Sequence, residues 1–172
     1  CKKTRSMPLR EEMPCVFSSV VLTWNGKSPT TGKNSTTVKA FVDTNILVYA
    51  YDRGAGQKHE RASGLLKELW KQGTGILSTQ VLQEFYVNVR RKAQKPISPD
   101  EARALIADYL AWDPIINDGA TVLEAIDIES HYKLSFWDAM IVVAAQKSDA
   151  TLLYSEDFNH GQRFGAVQVQ NP

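Results

Sequence analysis

Four acidic residues stand beside or within apolar segments of the sequence, and together they could hold a divalent cation. Asp43 and Asp157 each follow an apolar run, and Glu84 and Asp138 lie in segments with helical patterns of apolar residues. Like charges that meet in a cleft raise each other's pKa and destabilise the fold unless a cation neutralises them. Carboxylate oxygens are hard ligands that suit Mg²⁺ or Mn²⁺. A metal site of this kind, with room for a water molecule on the metal, can hydrolyse phosphodiester bonds. These residues therefore predict metal-dependent phosphodiester hydrolysis.

Each acid also has a structural alternative, which is the commoner role when the acid is taken singly. Asp43 could cap the helix that follows it. Asp138 is the third residue after Ser135, which is the spacing of a capping box. Asp157 could stabilise the turn in which it lies, and Glu84 could pair with Asn88 or Arg91 farther along its helix. The hypothesis of a shared site therefore depends on all four acids meeting in the folded chain.

The elements that must position these acids alternate between strands and helices from Val38 onward. Apolar runs predict strands at residues 38–43, 75–78, 114–116, 151–155 and 166–169. Helical periodicity predicts helices at residues 44–52, 58–73, 79–94, 98–112, 118–133 and 135–148. This alternation is typical of an α/β layer fold with a mainly parallel central sheet.

The order of the elements indicates where a site would form. In open parallel sheets, ligand sites lie outside the carboxyl ends of the strands, where the loops gather. Asp43 and Asp157 both follow predicted strands. The helix that begins after Ser135 is apolar nearly all round beyond Asp138, so it should be deeply buried. Asp43 and Asp157 should therefore lie at one edge of the sheet. Placed in this way along the chain, all four acids could meet at that end of the sheet.

Residues 1–37 differ from the rest of the chain, and residues 38–172 are expected to form one domain. The first 37 residues carry six basic and two acidic side chains and end in a stretch rich in Gly, Ser and Thr, which predicts a linker or disorder. One hypothesis is that they derive from a region upstream of the true start. Residues 38–172 carry 14 basic and 17 acidic side chains. A site that gathers several of the acids would leave the remaining surface close to neutral.

The composition excludes several classes of protein. With 43% hydrophobic and 23% charged residues, it is that of an ordinary globular domain. No segment approaches the roughly 18 apolar residues of a membrane span, and none has the pattern of a secretory signal. The two cysteines, Cys1 and Cys15, allow neither a disulfide framework nor a Cys-rich zinc site. We therefore expect a cytoplasmic protein without a membrane segment.

Four motifs that contain the acids occur in an order and at a spacing that resemble the PIN-domain nucleases. They read FVDTNILVYAYD, LSTQVLQEFYVNV, LSFWDAMIVVAA and LLYSEDFNHGQ, and the resemblance runs from about Lys39 to Pro172. Within that family the chain is most similar to the VapC-type toxins of bacterial toxin–antitoxin pairs. The resemblance implies a three-layer α/β/α PIN-like fold and Mg²⁺- or Mn²⁺-dependent endoribonuclease activity on RNA. It also implies a cognate antitoxin protein as partner and a homodimer.

The resemblance further implies a set of site residues. Position by position, the family's catalytic and metal-binding acids correspond to Asp43, Glu84, Asp138 and Asp157. Asn45 and Ser155 correspond to polar residues that orient a metal ligand or a bound water. Glu156 is the alternative ligand to its neighbour Asp157, which is preferred because its spacing from Ser155 fits the motif. The expected mechanism is hydrolysis of a phosphodiester bond by a metal-activated water, which leaves 5′-phosphate and 3′-hydroxyl ends.

Basic and aromatic side chains near the acids are candidates for contacts with RNA. The basic candidates follow Glu84 along its helix: Arg90, Arg91, Lys92 and Lys95. Their alternative role is solvated positive charge at a helix C-terminus, where the helix dipole favours it. Trp137 is expected to pack in the core, and stacking on a base is its alternative role. The three histidines are scattered along the chain, and none is assigned a catalytic role.

Three other classes of protein compete with the nuclease hypothesis. A phosphatase with an aspartyl nucleophile needs a second acid two residues after the first, where this chain has Asn45. A receiver domain needs a lysine at the end of a late strand, and residues 152–158 contain none. A catalytically inactive PIN-like module that binds RNA or protein remains the alternative, although all four acids are present.

Overall fold

A central sheet of five short strands organises the part of the chain that the computed structural model describes, residues 38–91 and 96–172. The strands are β1 (Ala40–Val42), β2 (Gly75–Ile76), β3 (Leu152–Tyr154), β4 (Arg163–Phe164) and β5 (Val167–Gln170). Their order across the sheet is β2-β1-β3-β5-β4, and all neighbouring pairs are parallel except β4 and β5. The sheet is therefore mainly parallel, as predicted. The predicted extension, residues 1–37, lies outside the described residues.

Helices cover this sheet in two groups. Within the described ranges the α-helices are α1 (Thr44–Tyr51), α2 (Gln57–Gln72), α3 (Thr79–Arg91), α4 (Pro99–Tyr109), α5 (Gly119–Tyr132) and α6 (Phe136–Lys147). Short 3₁₀ turns follow α1 and α4, at Arg53–Ala55 and Leu110–Trp112. Helix α1 packs against α2 and α3, α3 packs against α4, and α5 packs against α6. This arrangement confirms the predicted three-layer α/β/α fold.

Among residues 38–91 and 96–172, no helix combines the length and the apolar character that crossing a bilayer requires.

The pairing of β1 with β3 decides which residues meet at the carboxyl edge of the sheet. Val42 lies beside Tyr154 in the parallel register, and the Asp43 N–H donates to the Tyr154 carbonyl at 3.0 Å. All three residues of β1 are buried, as expected for a parallel strand that is covered on both faces. The next residues of the two strands, Asp43 and Ser155, therefore emerge side by side.

The strand predicted at residues 114–116 is wrong. A single parallel bridge forms there, between Ser78 and Ile115. Ile115 uses both its N–H and its carbonyl in this bridge, with Leu77 and Thr79 at 2.9 Å each. The pairing stops there because α3 begins at Thr79 and because Asp113 has a φ of +50°, which is not a strand conformation.

Strands β4 and β5 form a β-hairpin, and the sequence predicts only the second of these two strands. The strand predicted at residues 166–169 is present as β5, one residue farther along the chain. Strand β4 was not predicted, because its two residues are too few to show an alternating pattern. The turn between β4 and β5 contains Gly165 at a φ of +61°, a conformation that glycine adopts without steric cost.

Helix α6 runs through the core, as its composition predicts. All of its residues from Ala139 to Ala145 are buried, and Ala125 of α5 is buried against it. Ser135 caps the helix, because its hydroxyl oxygen accepts the Asp138 N–H at 3.2 Å. The first turn of α6, which carries Asp138, is therefore fixed by the packing of the turns that follow it.

We expect Gly75→Ala to destabilise the protein, because a methyl group at this position in β2 would overlap the ring of Trp112. The ring has little room to move, since it packs against Trp70 and Tyr109 with centroid separations of 5.4 and 5.3 Å. Overpacking of this kind costs about 1–3 kcal/mol. Urea denaturation followed by tryptophan fluorescence measures the free energy of unfolding.

Gly64→Ala is the matched control for this substitution. Gly64 lies within α2, and no atom lies within 4 Å of the position that its Cβ would take. Alanine should therefore stabilise the helix by about 0.5–1 kcal/mol. A Gly75→Ala variant as stable as the wild-type protein would contradict the packing of Trp112 over β2.

Candidate active site

Asp43 lies at the centre of the site, between the end of β1 and the start of α1. Its Oδ1 accepts the Thr44 N–H at 2.6 Å, so the predicted capping role is present. Its Oδ2 accepts the Ser155 hydroxyl at 2.6 Å and the Asn45 amide at 3.3 Å. The residue is only 5% exposed. Asp43 is thus a buried carboxyl group held from both strands of the β1–β3 pair.

Burial raises the pKa of Asp43 from its usual value of 3.8 to about 7. The hydrogen bonds from Ser155 and Thr44 act in the opposite direction, because they stabilise the carboxylate. The negative charges of Asp157 and Glu84 add to the increase in pKa, since each disfavours a further negative charge nearby. The carboxylate form of Asp43 is therefore costly at neutral pH until a positive charge comes close.

Asn45 joins the two strand-end acids. Its Nδ2 lies 2.9 Å from Asp157 Oδ2, 3.3 Å from Asp43 Oδ2 and 3.3 Å from Ser155 Oγ. Ser155 Oγ in turn accepts the Asp157 N–H at 3.1 Å. Asn45 sits in the first turn of α1, and Ser155 directly follows β3. The two residues predicted to orient the acids therefore contact Asp43 and Asp157 directly.

Glu84 reaches the site from α3 and is held at both oxygens. Oε2 accepts the Thr44 hydroxyl at 2.8 Å, and Oε1 accepts the Gln80 amide at 2.9 Å. These partners replace the predicted alternative of a pair with a polar side chain farther along the helix, such as Asn88. Gln80 also donates to the Trp137 carbonyl at 3.2 Å, so it ties α3 to the start of α6.

Asp138 reaches the site from the first turn of α6, and its predicted capping partner is in place. The Ser135 hydroxyl donates to Asp138 Oδ2 at 2.7 Å while its oxygen receives the Asp138 N–H. The neighbouring Trp137 is 62% exposed, so the prediction that it packs in the core is wrong. The fully buried stretch of α6 begins only at Ala139.

The four acids line one cleft of about 270 Å³ at the carboxyl ends of β1 and β3. Asp43 is buried, Glu84 and Asp138 are half-buried, and Asp157 is exposed at the rim. Asp52, which follows α1, also lines the cleft and was not singled out from the sequence. The structure therefore brings together all four of the residues on which the hypothesis of a shared site depends.

The oxygen atoms of these side chains suit a hard divalent cation, although the carboxyl groups are too far apart to bind one in their present positions. Within residues 38–91 and 96–172, no three or more Asp, Glu, His or Cys side chains are gathered closely enough to hold a metal ion as they stand. The donors are all oxygen atoms, and the buried Asp43 carboxyl is the group that a cation would relieve most. Hydrogen-bond donors from Thr44, Asn45 and Gln80 separate the acids, as expected where like charges repel.

Glu156, the alternative ligand, is engaged elsewhere. Its Oε2 forms an ion pair with Lys58 Nζ at 2.5 Å, and it does not line the cleft. Lys58 also donates to the Tyr49 hydroxyl at 3.4 Å. Asp157 lines the cleft, which agrees with the preference for it over Glu156.

The basic residues predicted to contact RNA lie away from these acids where the structure describes them. The Arg90 guanidinium donates to the Ile97 carbonyl at 3.2 Å, which is a structural role. Arg91 is exposed at the last position of α3. Lys92 and Lys95 lie outside the described residues. Neither arginine lines the cleft.

Thr44 and Gln80 are the two contacts to Glu84 that sequence reasoning missed. Gln80 lies four residues before Glu84 on the same helix, a spacing at which side chains meet, so helical geometry could have identified it. Thr44 is separated from Glu84 by 40 residues, and nothing in the sequence signals their contact.

Comparison with known proteins gives a family and a fold. The family model described as PIN domain matches residues 40–163. A search of curated proteins finds no significant match to the chain. VapBC2 from Rickettsia felis, bound to a DNA fragment from its promoter, superposes with a TM-score of 0.55 at 18% identity, over 78% of this chain and 98% of that chain.

Two further solved structures are similar. VapC20 from Mycobacterium tuberculosis, a toxin that cleaves the sarcin-ricin loop, has a TM-score of 0.51 at 19% identity, over 67% of this chain and 87% of that one. VapBC from Salmonella typhimurium, bound to DNA, has a TM-score of 0.54 at 13% identity, over 77% and 97% of the two chains. At these identities the likeness shows a shared fold. Since the family model covers well over half of the sequence, the chain belongs to the PIN domain family.

Proposed function

We propose that this protein is an Mg²⁺- or Mn²⁺-dependent endoribonuclease and the toxin of a type II toxin–antitoxin pair. The observation that carries the proposal is the meeting of Asp43, Glu84, Asp138 and Asp157 in one cleft. Each acid also has local hydrogen bonds, but local roles alone do not require four carboxyl groups from four separate elements to line a single cavity. The membership of the PIN domain family supports the same conclusion.

The similar structures support the toxin part of the proposal. VapC20 is a toxin that cleaves the sarcin-ricin loop, and the two VapBC structures are bound to DNA. For this chain we propose RNA as the substrate, an antitoxin protein as the partner and a homodimer as the assembly. A cytoplasmic location follows from that role. Arg90, Arg91, Lys92 and Lys95 remain candidates for contacts with RNA outside the cleft.

The residues of the cleft would divide the work between them. Asp43, Glu84, Asp138 and Asp157 would hold the cation. When bound, it would lower the pKa of a water molecule and offset the negative charge that develops on the phosphate. Asn45 and Ser155 position Asp43 and Asp157 through hydrogen bonds. Thr44 and Gln80 hold the carboxylate of Glu84 through hydrogen bonds, so the orientation of this side chain is also defined.

Asp43→Asn should abolish metal-dependent cleavage of RNA while the fold persists. The amide keeps the shape of the side chain and loses the charge that would bind the cation. Loss of an outer partner of a metal ligand already costs about 10- to 100-fold in activity, so loss of a central ligand should cost about 100-fold or more. Gel analysis of a mixed RNA pool with Mg²⁺ or Mn²⁺ measures the rate, and end-labelling should detect 5′-phosphate and 3′-hydroxyl products.

Asp127→Asn is the matched control, because Asp127 is exposed on α5 outside the cleft. It makes the same chemical change and should leave the rate of cleavage as it is. Cleavage by the Asp43→Asn variant at the wild-type rate would contradict the proposed site. Absence of cleavage by the wild-type protein would favour the alternative of an inactive PIN-like binding module.

A divalent cation should stabilise the wild-type protein against unfolding, whether or not RNA is cut. A ligand that binds only the folded state stabilises it by about 2.7 kcal/mol when its concentration is 100 times the dissociation constant. Thermal unfolding with increasing MgCl₂ or MnCl₂ measures this effect, with NaCl at equal ionic strength as the reference. The Asp43→Asn variant should respond much less than Asp127→Asn. Equal responses of these two variants would argue against Asp43 as a ligand.

Without divalent cations, the wild-type protein should lose stability between about pH 4 and pH 7 relative to Asp43→Asn. The pKa of Asp43 is 3.8 when unfolded and about 7 when folded, so the folded state keeps a proton that the unfolded state releases. The stability that this proton contributes is complete below pH 3.8 and lost as the pH rises through 7. A shift of this size corresponds to about 4 kcal/mol at most.

Urea denaturation of both proteins, with a chelator present and at intervals of one pH unit, measures the difference in their free energies of unfolding. Subtraction of the Asp43→Asn curve removes the contribution of the other titrating groups. A constant difference across the window would mean that Asp43 has no raised pKa in the folded protein.

A further inference from the structure

Trp137 is a large aromatic side chain that the fold leaves open to solvent at the cleft. It is 62% exposed, and it lines the same cleft as its neighbour Asp138. Exposed tryptophans are uncommon, because burying an aromatic ring of this size is strongly favourable. The position therefore suggests that a bound molecule covers the ring.

The main chain that carries the ring is held in place before any ligand arrives, and the ring itself has an aromatic neighbour. The Trp137 carbonyl accepts the Gln80 amide at 3.2 Å, and the indole packs edge-to-face against Phe136 with centroids 5.4 Å apart. The buried turns of α6 anchor the segment from behind. With the main chain fixed, only the two side-chain torsions of Trp137 are lost on binding, and this low entropic cost favours its use as a contact surface.

The other aromatic side chain lining the cleft, among the residues that the structure describes, is less suited to this use. Lys58 Nζ lies over the ring of Tyr49, 4.7 Å from the ring centroid, so one face of this ring is already covered. Its hydroxyl also accepts a hydrogen bond from the same ammonium group. Trp137 therefore provides the open aromatic face of the cleft.

We infer that Trp137 stacks on an unpaired nucleobase next to the phosphodiester bond that is cut. The inference rests on the proposed function and adds to it a residue that selects the substrate. Aromatic side chains stack on bases of single strands, whereas a base inside a duplex has both faces covered by its neighbours. Trp137 directly precedes Asp138, so a base on the ring would place its own phosphate close to the acids. Unpaired RNA is therefore bound more tightly than paired RNA.

Binding of a short unstructured RNA to Trp137→Ala and Trp137→Phe tests this inference. Both variants are made in the Asp43→Asn background, so that the RNA stays intact, and fluorescence anisotropy is measured with Mg²⁺ present. Trp137→Ala should bind about 10- to 100-fold more weakly than its parent, and Trp137→Phe should keep most of the affinity, because phenylalanine also stacks. The parent should bind the same RNA as a perfect duplex much more weakly.

Leu123→Ala is the matched control, since Leu123 is 67% exposed on α5 outside the cleft and should bind RNA as the parent does. A series of RNAs with one abasic site at each position should contain one that the parent and Trp137→Ala bind equally well. Equal binding of intact RNA by parent and Trp137→Ala, or no measurable binding by the parent, would overturn the inference. Loss of affinity in Trp137→Ala without cleavage by the wild-type protein would uphold stacking and refute the nuclease proposal, so the two failures are distinguishable.

Discussion

The parallel pairing of β1 with β3 is the constraint on which the site depends. It sets Val42 beside Tyr154, and so the chain leaves both strands at the same edge with Asp43 next to Ser155. The two residues are 112 positions apart in the sequence. A shift of one residue in this register would turn the side chains of β3 to opposite faces of the sheet and separate them. The hydrogen bonds among Asp43, Asn45, Ser155 and Asp157 all follow from this one alignment.

The electrostatics of the cleft explain why its polar side chains are arranged as they are. A carboxyl group that is 5% exposed and close to two other acids would be expensive to keep charged. Ser155 and Thr44 reduce this cost by donating hydrogen bonds to Asp43, but burial still dominates the balance. The cleft therefore carries an electrostatic cost that a bound cation would reduce, and this reduction would favour binding of the proposed cation.

Helix α6 connects the core of the protein with the proposed substrate surface. Its buried residues, Ala139–Ala145, fix the helix in the fold, and its first turn presents Asp138 inside the cleft and Trp137 at its mouth. Gln80 joins this turn to Glu84 through one amide group. Metal binding and recognition of RNA would thus depend on the same rigid support, which agrees with the general need of catalytic sites for preorganised side chains.

The fold class, and the four acids that line the cleft, could be predicted from the sequence alone. Helical and strand periodicities are local properties, and the position of an acid after a buried strand can be read without knowledge of any distant contact. The same reasoning failed where the deciding contacts were distant or the segment was very short. It predicted a strand at residues 114–116, where the start of α3 at Thr79 limits the pairing to one bridge, and it missed β4, which has two residues.

The contacts that support the acids, and the exposure of Trp137, could be seen only in the folded structure. The contact between Thr44 and Glu84 joins α1 to α3, and the ion pair that removes Glu156 from the cleft joins it to α2. Such contacts depend on how helices pack, and periodicity along one helix carries no information about its neighbour. Trp137 has an apolar side chain in an apolar helix, so its sequence context indicates burial. It is exposed because it precedes the buried stretch of α6 and lines the cleft, and the cleft exists only in the folded protein.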